Sequence, residues 1–201
     1  MFEFHSALES YRAQSGVESA DGAKALRLGE IAGTHLIQLG IYPGGAARVA
    51  AAVLAILGEG LPDSSVRAVM SGKQLIMRIA PDQYWVVGGE SGLDARLRSA
   101  VPADAGCVTS LDGARTRLII EGPAARALLS RLVAIDLHPA LFAINGFAQT
   151  GIHHVGGLLL RVSEQRYEFF ALRTYAASMW EVLLDAAHSF GYEIQLQENI
   201  T

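Results

Sequence analysis

The chain has 201 residues, enough for one large domain or two small halves, and folding should bury roughly 70% of the unfolded surface. With 16 basic and 20 acidic residues its net charge is -4, so it lacks the basic excess of proteins that bind nucleic acid or anionic membranes. Hydrophobic residues make up 51% and charged residues only 18%, against a typical ~25% charged. Either the 31 alanines account for the high apolar share, or much of the surface is covered by other subunits.

Cysteine content and the apolar runs bear on where the protein works. Cys107 is the only cysteine, so no internal disulfide can form, and a reducing cytoplasm fits. The first 16 residues lack a basic region followed by an apolar one, which argues against a secretory signal. The most apolar run, 49–57, is about half the ~20 residues that a membrane span needs. We therefore predict a cytoplasmic protein that does not enter a membrane.

Residues 1–24 have no sustained hydrophobic period and predict an irregular N-terminal arm. Residues 25–104 predict a first α+β half, which opens with two strands, "ALRLGEI" and "HLIQLGIY", separated by a turn at Gly33. The next helix has apolar residues on one face, namely Val49, Val53, Ile56 and Leu57. The remaining elements are a strand at 65–71, a hairpin of 74–80 with 83–88, a helix at 92–99 and a linker at 100–106.

Residues 105–201 predict a second α+β half. It begins with a strand, "ARTRLIIEG", and continues with a helix that opens at Pro123, where a missing N–H costs little. The inner face of this helix is predicted to carry Ala125, Leu128, Leu129 and Leu132. Strands at 147–153 and 157–162 and in "RYEFFAL", the helix "YAASMWEVLLDAAHS" and the strand "YEIQLQ" follow.

Two pairs of short stretches suggest that one unit is used twice. "GGAAR" ends at Arg48 and "GPAAR" ends at Arg126, each on the first turn of a predicted helix. "MRIAPDQYWV" (77–86) and "LRVSEQRYEF" (160–169) match in the same order, on the predicted hairpins. A period near 80 residues is too long for a solenoid repeat. We therefore predict an α+β fold of two similar strand-helix-hairpin-helix halves packed into one compact body.

Three stretches carry a resemblance to a known family: "VTSLDGARTRLIIEGPAARALLSRLVAIDL" (108–137), "GFAQTGIHHVGGLLLRV" (146–162) and "YEFFALRTYAASMWEVLLDAA" (167–187). They resemble the gamma subunit of heterotetrameric sarcosine oxidase, which is similar in fold to the folate-binding domain of the glycine-cleavage aminomethyltransferase. The resemblance covers roughly residues 20–200 and is strongest after residue 105. It implies a pseudo-duplicated, folate-binding-domain-like fold.

The same resemblance implies a function in a complex. The family oxidatively demethylates sarcosine to glycine and passes the one-carbon unit to tetrahydrofolate or releases it as formaldehyde. The complex would use FAD, FMN, NAD and tetrahydrofolate, while the gamma chain binds no cofactor and has the alpha, beta and delta subunits as partners. The alternative is a free-standing folate-binding, aminomethyltransferase-like protein.

One departure from the transferase pattern favours the non-catalytic subunit. Folate-dependent aminomethyltransferases carry an acidic residue on the strand after the glycine pair that precedes this hairpin. Here Gly156 and Gly157 are followed by Leu158, Leu159 and Leu160, which cannot orient an amine or accept a proton. We therefore predict no catalytic, cofactor-binding or metal-binding residues in this chain.

Other candidate residues have ordinary structural interpretations. His153 and His154 are adjacent, so on a strand their side chains would point to opposite faces and could not share a metal. Cys107 is predicted to be a buried, inert thiol rather than a nucleophile. The remaining histidines considered have no partner at metal spacing and are predicted to be ordinary surface or core residues: His35, His138 and His188.

Arginine supplies 14 of the 16 basic residues, and only Lys24 and Lys73 are lysine. Arginine suits interface ion pairs and planar anions. Arg161 and Arg173 on the second hairpin are predicted to be solvated or in internal salt bridges, with contact to a carboxylate or a partner as the alternative. Met179 and Trp180 on the last helix are predicted to lie in the core.

Overall fold

The computed structural model describes residues 6–11, 13–20 and 22–196. Its strands form two sheets, and two helices accompany each sheet, which confirms the α+β prediction. The chain divides into two compact units. Unit 1 comprises Met1–Gly33 and Gly113–Thr201, and unit 2 comprises Thr34–Asp112.

The predicted strands and helices are present in the predicted order, and the structure adds one strand at the start of the second half, β6 (Gly106–Ser110). The elements of the first half are β1 (Leu26–Glu30), β2 (Leu36–Ile41), α1 (Ala46–Leu57), β3 (Val69–Ser71), β4 (Gln74–Ala80), β5 (Gln83–Val87) and α2 (Leu93–Ala100). Those of the second half are β6 (Gly106–Ser110), β7 (Arg115–Glu121), α3 (Ala125–Leu129), β8 (Phe147–Ile152), β9 (Val155–Arg161), β10 (Arg166–Leu172), α4 (Ala176–Ala187) and β11 (Tyr192–Gln195). Of the helices described, none combines the length with the hydropathy that a membrane span requires.

The two sheets share one strand order, as expected of a duplication. The sheet of unit 2 runs β3-β4-β5-β2-β6, and the sheet of unit 1 runs β8-β9-β10-β7-β1, with β11 added in parallel beside β1. In each sheet the fifth strand comes from the other half of the sequence. The compact units therefore differ from the sequence halves 25–104 and 105–201, because β1 pairs with β7 and β6 pairs with β2.

Equivalent arginines on the two hairpins make equivalent hydrogen bonds. Arg78 on β4 donates from Nη2 to the carbonyl oxygen of Pro81 (2.8 Å) and from Nη1 to that of Asp63 (3.0 Å). Arg161 on β9 donates from Nη2 to the carbonyl oxygen of Glu164 (3.3 Å) and from Nη1 to that of Phe142 (2.7 Å). In both cases one carbonyl lies three residues further on, and the other lies in the loop before the preceding strand, β3 or β8. This shared pattern supports the duplication beyond the sequence match.

The core of unit 1 lies between one face of its sheet and the helices α3 and α4. The inner face of α4 follows a helical period. Its buried residues are Ala176, Met179, Trp180, Leu183 and Ala187. The helix continues into a short turn over His188–Phe190 and stops before Gly191, whose φ of 66° is rare for residues with a side chain.

The core of unit 2 lies between its sheet and the helices α1 and α2. Val49 and Val53 are the buried residues of α1, while Ile56 and Leu57 pack at its edge. This helix ends at Gly58, whose φ is 72° and whose N–H donates to the carbonyl oxygen of Leu54 (2.8 Å).

Helix α3 is shorter than predicted, because it ends at Leu129 rather than continuing to Leu132. The hydroxyl of Ser130 donates back to the carbonyl oxygen of Arg126 (2.9 Å), and the N–H of Leu132 donates to Leu129 (2.9 Å) in a tighter turn. Such local side-chain hydrogen bonds compete with the helical ladder.

The N-terminal arm is fixed to unit 1 in its described part. The buried Glu30 carboxylate accepts hydrogen bonds from the hydroxyls of Ser6 and Thr116 (2.8 Å for Thr116) and from the N–H of Ala7 (3.2 Å). Leu8 is buried in the core of unit 1. Residues 1–5, 12 and 21 of the predicted arm lie outside the described residues.

Candidate functional site

The glycine pair lies within β9, and the three leucines that follow it on this strand are core residues. Leu158, Leu159 and Leu160 are all buried. On β10, the neighbouring strand, the buried residue opposite Leu160 is Glu168. This carboxylate lies one strand away from the position at which the family resemblance places an acid.

Two arginines hold the Glu168 carboxylate. Arg117 on β7 lies 2.7 Å from Oε2, and Arg166 lies 3.0 Å from Oε1. Glu168 itself is only 1% exposed, and both guanidinium groups are mostly buried. These two guanidinium groups occupy both carboxylate oxygens, which a substrate amine would need.

The ion pairs continue across the sheet as a ladder of alternating charge. Arg166 also lies 3.6 Å from Glu121, and Glu121 pairs with Arg27 on β1. We call Arg27, Glu121, Arg166, Glu168 and Arg117 the charged ladder. Because Tyr84 and Tyr167 are equivalent in the duplication, Trp85 takes the place of Glu168 in unit 2. The ladder is therefore a specialisation of unit 1.

Gly157 allows β9 to approach β10 closely. A Cβ at this position would lie 2.4 Å from the ring of Phe169 and 2.6 Å from the carbonyl oxygen of Phe170. A Cβ at Gly156, one residue earlier, would meet nothing within 4 Å. Close packing therefore explains the second glycine of the pair, Gly157.

We expect Gly157→Ala to lower the free energy of unfolding by about 1–3 kcal/mol, because a buried ring and a backbone oxygen must move. The matched control, Gly156→Ala, should stay within about 0.5 kcal/mol of wild type. Urea unfolding followed by circular dichroism measures both. Equal losses for the two variants would contradict the packing explanation.

The strand predicted at 147–153 ends at Ile152, so neither His153 nor His154 lies on a strand. They form the two-residue turn between β8 and β9, and His153 has a φ of 56°. Both are exposed, and their rings stack with centroids 5.4 Å apart instead of pointing to opposite faces. Among residues 6–11, 13–20 and 22–196, no three His, Cys, Asp or Glu side chains form a group that could hold a metal ion.

Three more histidines lie in the described part of the chain. His35 Nδ1 lies 2.9 Å from an Asp112 carboxylate oxygen, and the second oxygen accepts from the N–H of Leu36 (2.8 Å). His138 Nδ1 accepts a hydrogen bond from the N–H of Ala140 (3.3 Å) in the loop before β8. His188 lies in the turn after α4 and is exposed.

The prediction that Cys107 is buried is wrong, because its side chain is exposed. It lies on β6, an edge strand. The preceding residue, Gly106, faces α1, because a Cβ at that position would contact the side chain of Val49. The residues of β6 alternate, so Cys107 points away from that helix. Its thiol contacts the Tyr42 hydroxyl, and this hydrogen bond raises the pKa of Tyr42.

Arg161 is neither solvated nor in an ion pair among the described residues. It is buried and donates to three backbone carbonyls, those of Phe142, Ser163 and Glu164. Arg173 lies past the end of β10, in a turn, and is half-buried. Met179 and Trp180 lie in the core, as predicted.

The charged ladder is not among the predicted features, although the sequence carries a signal for it. The charged residues of "RTRLIIE" lie two or four positions apart and those of "RYE" two apart, so they share one face of each strand. Glu30 was also missed, because its partners Ser6 and Thr116 are distant in sequence.

Comparisons with known proteins agree with this fold. Residues 66–195 match the family described as the GCVT N-terminal domain. The chain is 30% identical over 181 residues to sarcosine oxidase subunit gamma of Corynebacterium sp. (strain U-96), covering 88% of this chain and 87% of that protein. It is 31% identical over 175 residues to sarcosine oxidase subunit gamma of Arthrobacter sp, with 86% and 84% covered.

Two solved structures are similar. A chain of heterotetrameric sarcosine oxidase from Corynebacterium sp. U-96, in complex with pyrrole 2-carboxylate, superposes with a TM-score of 0.82 at 27% identity, covering 92% of this chain and 96% of that one. Aminomethyltransferase T of the glycine cleavage system from Bartonella henselae superposes with a TM-score of 0.62 at 16% identity, covering 94% and 57%. The second likeness concerns the fold alone.

The fold and the family match place the chain in the class of GCVT N-terminal domain proteins. Within this class it belongs to the sarcosine oxidase gamma subunit family.

Proposed function

We propose that the chain works as a non-catalytic gamma subunit of a heterotetrameric sarcosine oxidase in the cytoplasm. It supports the oxidative demethylation of sarcosine to glycine, with the one-carbon unit passed to tetrahydrofolate or released as formaldehyde. The observation that carries the proposal is the superposition on a chain of the Corynebacterium oxidase over 96% of that chain's length.

The residues of the candidate site support a role without chemistry of its own. The three residues that follow the glycine pair on β9 are buried leucines, and the nearby Glu168 is held by two arginines. A general base needs a free acceptor within reach of the substrate proton. We propose that FAD, FMN, NAD and tetrahydrofolate are bound by the other subunits, and that this chain binds none of them.

The experiment is co-expression of the full chain with the alpha, beta and delta subunits from the same genome, followed by size-exclusion chromatography. We expect this chain to co-elute with the flavin absorbance and with sarcosine oxidation activity. Elution of the chain alone, apart from an active flavoprotein, would contradict the proposal.

A second measurement tests the free-standing folate-binding alternative. Titration of the isolated chain with 5-formyltetrahydrofolate in a calorimeter should give no saturable heat. Stoichiometric binding by the isolated chain would favour the alternative, whether or not the chain also enters a complex.

A further inference from the structure

A cleft of about 320 Å³ opens in unit 1 between the start of α3 and the hairpin of β9 and β10. Its lining includes Arg126, Pro139, Arg161, Glu164 and Gln165. Two guanidinium groups against one carboxylate make the charge of this lining positive. We call it the Arg126 cleft.

Arg161 fixes the loop of residues 138–146 beside the cleft. Besides its hydrogen bond to Phe142, Arg161 exchanges backbone hydrogen bonds with both ends of the Asn145–Gly146 segment (2.8 Å each). The ring of Phe142 stacks on Tyr167 at 6.5 Å. The loop is therefore held in one conformation by a buried arginine and a buried ring.

This fixed loop exposes large apolar side chains. Leu141 is 72% exposed and Ile144 is 43% exposed. A loop already held in place loses little conformational entropy when a partner packs on it. Exposed apolar groups beside a polar rim are typical of protein interaction sites. Pro139 belongs to both the loop and the cleft, so the two surfaces are continuous.

Comparison with unit 2 shows that, among the described residues, Arg126 lacks the carboxylate partner that its counterpart has. Arg48, the equivalent of Arg126 in unit 2, lies 2.8 Å from Asp104. This ion pair lowers the pKa of the Asp104 carboxyl through a hydrogen bond. No carboxylate in the described part of the chain forms an ion pair with Arg126. Cys107 of β6 and Arg27 of β1 occupy equivalent positions in the two sheets. The residue three positions before Cys107 is Asp104, whereas the residue three positions before Arg27 is Lys24, which is basic.

We propose that the Arg126 cleft and the 138–146 loop form one docking surface for another subunit of the oxidase. That subunit places a carboxylate next to Arg126 and packs an apolar surface on Leu141 and Ile144. The inference rests on the proposed function, because it requires that the chain assembles with partner subunits. The charge of the cleft selects an acidic partner group, and the loop supplies the apolar contact.

The test measures association of the full chain with the co-expressed partner subunits by biolayer interferometry. We expect Leu141→Ser with Ile144→Ser, and separately Arg126→Glu, to weaken binding at least about 10-fold each. Binding of wild type should also weaken between about 0.05 M and about 0.5 M salt, and Arg126→Gln should reduce this salt dependence.

The duplication supplies matched controls. Arg48→Glu changes the equivalent helix position in unit 2, and Val66→Ser removes an apolar side chain that is 66% exposed. Both controls should bind within about twofold of wild type, because exposed substitutions outside an interface have small effects. Each isolated variant must melt at the wild-type temperature.

The outcomes separate the two proposals. If wild type binds the partner subunits and both the loop and the Arg126→Glu variants bind equally well, the docking surface is wrong and the proposed function stands. If wild type binds no oxidase subunit, the proposed function fails and the docking surface with it. Self-association of the isolated chain that the loop variant abolishes would assign this surface to a second copy and overturn the inference.

Discussion

Replacing Glu168 with glutamine should lower the free energy of unfolding by about 3 kcal/mol, because it leaves two mostly buried guanidinium groups without their shared carboxylate. Arg117 is 15% exposed and has Glu168 as its only acidic partner within the described residues, whereas Arg166 keeps Glu121 at 3.6 Å. Most of the loss should therefore arise at Arg117. Urea unfolding of wild type and variant measures the difference.

Two further variants separate charge from packing. Glu164→Gln, on an exposed turn four residues earlier, is the control and should change stability by less than about 0.5 kcal/mol. The double variant Arg117→Met with Glu168→Met should lose less than Glu168→Gln alone, since apolar replacement of a buried ion pair often costs little. If the double variant loses as much stability as Arg117→Met and Glu168→Met lose together when made separately, the two charges are not coupled.

Local patterns in the sequence were sufficient for most elements. The helical period of Met179, Trp180 and Leu183 predicts both α4 and its buried face. The matched stretches around Arg78 and Arg161 predict the duplication, and their shared hydrogen bonds to loop carbonyls bear it out. In each case the information lies within about one helix or one hairpin.

The features that sequence did not reveal depend on contacts between distant residues. Strands β1 and β6 are exchanged between the sheets because they pair with β7 and β2, across about 65–95 residues of sequence, and no local period records such pairing. Cys107 is exposed because its strand lies at a sheet edge, and strand order is not visible in a single strand's sequence. The turn at His153 lacks the glycine or asparagine that usually marks a positive φ.

Arg161 shows how a side chain can be misread when loop structure is unknown. Charged groups are seldom buried without a carboxylate, so solvent or a salt bridge was the natural prediction. The structure instead provides three carbonyl acceptors from turns on either side of the side chain. The fork of the guanidinium matches such spread acceptors, which a lysine ammonium cannot do. Its counterpart Arg78 behaves in the same way in unit 2.

Replacing Trp180 with alanine should be as severe as the loss of Glu168, at about 3–5 kcal/mol, because it deletes a large aromatic group from a packed core. Trp180 is fully buried on α4 and belongs to the same core as Tyr167 and Phe169 of β10. Its indole N–H also donates to the side chain of Gln14 in the N-terminal arm (3.4 Å). The loss should therefore also loosen the attachment of the arm.

Two further variants on α4 serve as comparisons for this prediction. Ser178→Ala is exposed and should remain within about 0.5 kcal/mol of wild type. Trp180→Phe keeps an aromatic ring but removes the N–H, so it should lose less than Trp180→Ala. Hydrogen exchange of the amides of Leu8 and Tyr11 reads the arm directly, and we expect faster exchange in both Trp180 variants than in Ser178→Ala. Unchanged protection of the arm in Trp180→Ala would show that Glu30, through Ser6 and the N–H of Ala7, is sufficient to hold the arm without the indole.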